Sequence, residues 1–112
     1  MQWTVSNEDV FVRLDPGDEI HISLQNLADE IGFDAAAITS GIGRTSNTLY
    51  GYMNEEGVYI RRELLPPSEL VSLSGNIART QDGKPFTHIH CCWSDDDNVV
   101  HAGHMFQSVV HV

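Results

Sequence analysis

Three histidines carry the strongest chemical signal in this chain of 112 residues. His88-Ile89-His90 lies in the β-rich stretch Pro85–Trp93, and side chains two apart on a strand share one face. His104 follows one hairpin later, beyond the turn sequence Ser94-Asp95-Asp96-Asp97-Asn98. Pairing symmetric about Asp96 sets His88 opposite His104 and His90 opposite Ala102. All three imidazoles then share one face, within reach of a single ion, and Ala102 and Gly103 leave room for it. A shift of one residue would send His104 to the other face and dissolve the site. Three neutral imidazoles at about 2.0–2.1 Å suit zinc, with a fourth position open to water or another ligand. Iron, nickel and manganese accept the same ligand type. The plainer alternative is three strand histidines making ordinary hydrogen bonds.

The remaining candidates are weaker. His101 is expected to pair with Cys91 on the opposite face, which is too few ligands for a closed zinc site. His21 is expected to face solvent from an acidic helix, and His111 to be an ordinary strand residue. Cys92 shares the histidine face by parity, which makes it a candidate fourth ligand, although a residue two positions beyond His90 reads more simply as core. Cys91-Cys92 is no CxxC redox motif and rules out a disulfide framework. Glu69, after Pro66-Pro67, reads as a solvated turn carboxylate, or functionally as a general base beside the histidines. Gly41-Ile42-Gly43 lacks the third glycine of a dinucleotide fingerprint, since position 46 is Ser46. Ser72, Ser74 and Ser108 have no nucleophile-elbow context.

These residues need elements to hold them. Glu8–Leu14 alternates and reads as a strand. Asp15-Pro16-Gly17-Asp18-Glu19 reads as a helix start, with Asp15 as cap and Pro16 in the first position. Ile20, Leu24, Leu27, Ala28 and Ile31 follow at helical spacing, and Gly32 suits the position after the last turn. Ala35–Thr39 reads as a short buried strand or a helical end. Asn47–Tyr52 and Tyr59–Leu64 flank the turn sequence Asn54-Glu55-Glu56-Gly57 as a hairpin. Leu70–Ala78, Pro85–Trp93 and Val99–Val112 complete a set of antiparallel strands. The expected fold is α+β: one domain over residues 1–112, a mostly antiparallel sheet with one principal helix packed on it.

Charge narrows the partners. Sixteen acidic residues face six basic ones, for a net charge of −10. Residues 1–60 hold ten of the acids but only Arg13 and Arg44 as bases. Such a field repels phosphate backbones, whose neutralisation normally supplies most nucleic-acid affinity. A lysine-poor acidic surface also suits a high-salt cytoplasm, where screening relieves that repulsion. No basic and apolar leader opens the sequence and no apolar run approaches about 20 residues. A soluble cytoplasmic domain is the expectation.

Several segments, in order, resemble one family. They are Phe11–Ile20, Ile38–Gly43, Ser68–Ile77, Gly83–His90 and Ala102–His104. Together they are similar to the plants-and-prokaryotes conserved (PPC) domain, from about residue 10 onward. The resemblance implies a homotrimer and a link to DNA, as in the AT-hook nuclear proteins of plants. It also implies a zinc-type ion on His88, His90 and His104, and it sets Glu69 in the family's acidic position. The chain carries no Arg-Gly-Arg-Pro hook, so the plant route to the minor groove is missing. The usual Gly-Gly-His is Ala102-Gly103-His104, and the often small position 44 is Arg44. The family typically carries its last strand beyond Val112, so contacts between subunits are expected to seal that edge. Three function classes follow: a metal-stabilised DNA-associated or regulatory module, a metal-dependent hydrolase, and a structural or protein-interaction trimer. The balance leans away from an enzyme.

Overall fold

A computed structural model describes residues 1–112. Gln2–Ser6 (β1) and Asp9–Arg13 (β2) pair around Asn7-Glu8, with Asn7 at φ 53° taking the left-handed conformation that a two-residue hairpin needs. The sequence pattern indicated only β2. β1 is exposed throughout, so burial leaves little mark on its composition.

The helix, α1, spans Ile20–Ile31 and is capped by Glu19, whose carboxylate accepts from the Ile22 N–H at 2.8 Å. Asp15 and Pro16 are therefore not its start. They belong to a β-turn in which the Asp18 N–H donates to the Asp15 carbonyl at 2.9 Å and Gly17 adopts φ 93°. Proline before such a glycine fits a type II turn as well as it fits a helix's first residue. This turn is pinned to the far end of the last strand by Gly17 N–H to Val110 O and Val110 N–H to Asp18 O. The helix ends where expected, at Gly32 with φ 89°. Ile20, Leu24, Leu27 and Ala28 are its buried stripe.

Six strands follow: β3 Ala36–Ile38, β4 Gly43–Met53, β5 Tyr59–Leu64, β6 Ser68–Arg79, β7 Pro85–Ser94 and β8 Val100–Val110. Their order is β3-β6-β7-β8-β4-β5, all antiparallel, and β4 also pairs with β6 through Gly43–Thr45 and Ser68–Leu70. That extra seam closes β6, β7, β8 and β4 into a small barrel. A bulge at Ser46–Leu49, with Asn47 at φ 51°, lets β4 turn from one partner to the next. The odd residues of β7 point inward: Ile89, Cys91 and Trp93 are buried with Leu70, Leu73, Ile77 and Met105. Thr48 and Ser108 also lie inside, their hydroxyls satisfied by a mutual 2.8 Å hydrogen bond. The even residues of β7 face outward, and these include the histidines.

Candidate metal centre

The pairing of β7 with β8 brings His88, His90 and His104 together. His90 lies directly opposite His104. This register is shifted by two residues from symmetry about Asp96, because the five-residue turn, 95–99, is centred on Asp97, one residue later than expected. Asp95 accepts from the Asp97 and Val99 N–H groups through Oδ1, while Asn98 sits at φ 58°. A shift of two preserves the parity of every side chain, so all three imidazoles still share one face.

The ring centroids are 5.0 Å apart for His88–His90, 5.0 Å for His88–His104 and 5.6 Å for His90–His104. One ligand nitrogen from each lies within 4.8 Å of the others. Tetrahedral ligation sets such nitrogens about 3.3 Å apart, so the rings would close in further around an ion. His104 Nδ1 is buried and has no hydrogen-bond partner. An unpartnered buried nitrogen is costly unless something else meets it. Burial, then the nearby His88 and His90, His21 and Arg61, push the His104 pKa below the usual histidine value. The neutral ring that a metal ligand must be is thereby favoured. The donor set fits a borderline divalent ion and contains no carboxylate.

The surroundings are asymmetric. On the β6 side, Ser74 pairs with His90 and Asn76 with His88. With Gly75, Ser74, Asn76, His88 and His90 line an open cavity of about 160 Å³. Gly75 is required here, since a Cβ on it would lie 2.0 Å from the His88 carbonyl oxygen. On the other side, Tyr59 and Phe106 pack on the His104 ring with centroids at 4.7 and 4.8 Å, and Arg61 stacks over Phe106 at 3.8 Å. Sequence reading missed these neighbours. Ser74 and Asn76 carry a parity signal on β6, whereas Tyr59 and Arg61 reach the site across Gly51, which pairs with both Arg61 and His104 and puts no side chain between them.

Other candidates fall elsewhere. Glu69 pairs with Ser94 and Arg44, four positions along β7 from His90, or about 13 Å at strand rise. It lines a separate groove with Ile42, Arg44 and Val71. The structure therefore does not bring Glu69 to the histidines. His101 opposes Trp93 rather than Cys91, and bonds Tyr50 Oη at 3.1 Å and Asp95 Oδ2 at 2.9 Å. His21 does not face solvent: it is half-buried against the sheet, and Ile22 is the exposed neighbour. Starting the helix at Ile20 turns His21 toward β7 and β8. His111 lies one residue beyond β8, its N–H donating to the Arg44 carbonyl. Cys92 is half-buried two pairs closer to the turn than His90, opposite Ala102. Cys91 is buried on the inward face, away from the histidines, and burial, with Cys92 beside it, pushes its thiol up to about 12.

Residues 4–112 match the Plants and Prokaryotes Conserved (PCC, also PPC) domain. The chain belongs to this family. This PPC domain is similar to a metal-containing protein from Archaeoglobus fulgidus at 38% identity and a TM-score of 0.80, over 89% of this chain and 70% of that one. It is similar to a plant- and prokaryote-conserved protein from Pyrococcus horikoshii at 31% identity and a TM-score of 0.84, over 97% and 75%. A candidate DNA-binding protein from Bacteroides thetaiotaomicron shares the fold, with a TM-score of 0.89 at 21% identity over 98% and 76%. Comparison with proteins of curated function gives no match. No helix of the PPC domain is long and apolar enough to cross a membrane.

Proposed function

We propose that this PPC domain is a metal-carrying homotrimer acting in DNA-associated regulation, with His88, His90 and His104 holding one zinc-type ion in each chain. The observation that carries the metal is the buried, unpartnered His104 Nδ1 beside two more imidazoles. The metal-containing relative supports it. Assembly would cover apolar surface left beside the histidines by Phe86, Met53 and Tyr59. The DNA association rests on the family and on the naming of relatives such as the Bacteroides protein. A net charge of −10 argues that it runs through protein contacts and not through a grip on the duplex. Native mass spectrometry with elemental analysis, before and after EDTA, tests the assembly and the ion. One metal per chain in a trimer is the expected result, and a metal-free monomer under metal-replete conditions would overturn it. Anisotropy of a labelled duplex at low and physiological salt tests the partner. Tight, salt-sensitive binding would overturn the protein-contact route.

A second reading is hydrolytic, favoured by the open polar cavity at His88 and His90. A divalent ion held there would supply Lewis-acid activation of an oxygen ligand. Ser74 and Asn76, the cross-strand neighbours of His90 and His88, are the side chains placed to orient that ligand. Turnover of activated ester or phosphoester probes by metal-loaded protein, abolished in Ser74→Ala with Asn76→Ala, would support it.

A further inference from the structure

The ladder between β7 and β8 stops at the metal candidates. Its pairs run from Ser94–Val100 to His90–His104 and go no further. Beyond that pair β7 continues along β6 as far as Arg79–Pro85, while β8 follows β4 through Met105, Gln107 and Val109. The two strands part, and His88 stands on the side where no backbone bond ties it to β8. Something else must fix its distance from His104.

His21 spans that gap from the inner side of the sheet. Its Nε2 lies 2.8 Å from the Met105 carbonyl oxygen, and its Nδ1 lies 2.6 Å from Thr87 Oγ1. A carbonyl only accepts, so Nε2 carries a proton, and in the neutral ring the Thr87 hydroxyl then donates to Nδ1. Gln25, one helical turn on from His21, donates to the same Thr87 oxygen at 2.9 Å. The result is a directed chain from Gln25 to Thr87 to His21 to Met105. Thr87 and Met105 are the chain neighbours of His88 and His104, with side chains on the opposite face.

We propose that His21 is a positioning residue for the three-histidine centre: it clamps β7 to β8 where their ladder ends, and so sets the His88–His104 spacing. The proposal rests on the metal reading above, and its test separates the two. Zinc affinity is measured by chelator competition for wild type, His21→Leu, His21→Gln and Arg79→Met. Arg79 ties down the other end of the helix, bonding the Ala28 and Phe33 carbonyls and Asp29. Loss of an outer-shell partner commonly weakens metal binding about 10–100-fold, and that is expected for His21→Leu. His21→Gln, which keeps a donor for Met105, is expected to recover part of the loss. Arg79→Met is expected to lower the melting temperature without moving zinc affinity. Unchanged affinity in His21→Leu with a lowered melting temperature would overturn the clamp and leave a purely structural histidine. A second readout needs no metal: ring-proton contacts between His88 and His104 by NMR. These are expected in wild type and lost in His21→Leu, and their persistence in the variant would overturn the clamp. Wild type that takes up no zinc would overturn the metal reading while this second readout still decides the clamp.

Discussion

Two sets of histidines share the β7–β8 region and differ in how their ring nitrogens are met. His101 and His21 each have both nitrogens engaged, the first by Tyr50 and Asp95, the second by Thr87 and Met105. His88, His90 and His104 converge within 4.8 Å, and the buried nitrogen of His104 meets nothing. The saturated rings tie elements together. The unsaturated rings lie on the outer face of the same strands. Residue type alone does not separate these roles. What does is whether the fold supplies partners, because an engaged nitrogen has no lone pair or site left for an ion.

The sharpest way to test this contrast is to remove one member of each set. His104→Ala is expected to drop bound metal from about one per chain to background by elemental analysis, with the fold retained, since the ring takes no part in hydrogen bonding. His101→Phe is expected to do the opposite. It removes the imidazole from Asp95 Oδ2 and from the buried Tyr50 hydroxyl, and the lost Tyr50 bond is expected to cost about 1 kcal/mol in urea unfolding, with metal content unchanged.

Acid probes the saturated side more gently. The His101 hydrogen bond, then the Val99 N–H, hold Asp95 below the usual carboxylate value of 3.8. A depressed folded-state pKa contributes stability above the unfolded value, lost as pH falls through the folded one. Melting temperature is therefore expected to fall below about pH 3.8, and Asp95→Asn should flatten that slope. The smallest effect belongs to His111→Ala. The residue is exposed beyond β8, so stability should stay within about 0.5 kcal/mol and metal content should not move.

The face of the site was readable in the sequence because parity survives error. The inferred pairing put His88 opposite His104, whereas the structure opposes His90 to it, and yet all three rings share a face. The two-residue discrepancy arose in the turn, where the Asp95 side chain gathers backbone N–H groups that composition does not reveal. The helix stripe and its Gly32 end were equally plain, being set by local spacing. Its start was not, because Pro16 satisfies a turn and a helix alike and only Gly17 at φ 93° decides. Long-range closure was beyond reach: nothing in Gly43–Thr45 announces that it will pair with Ser68–Leu70. His21 was misplaced for a related reason. Its partners, Thr87 and Met105, are 66 and 84 residues away.

That short seam between β4 and β6 divides the barrel into parts of unequal strength. β6 and β7 are laced from Glu69–Ser94 to Arg79–Pro85, while β4 touches β6 only over Gly43–Thr45. Cooperative units open where few bonds hold them. The barrel should unzip first at Gly43–Thr45, exposing the groove of Arg44 and Glu69, while the β6–β7–β8 layer bearing the histidines stays intact. In amide exchange, the groove would breathe on a faster clock than the face that holds the imidazoles.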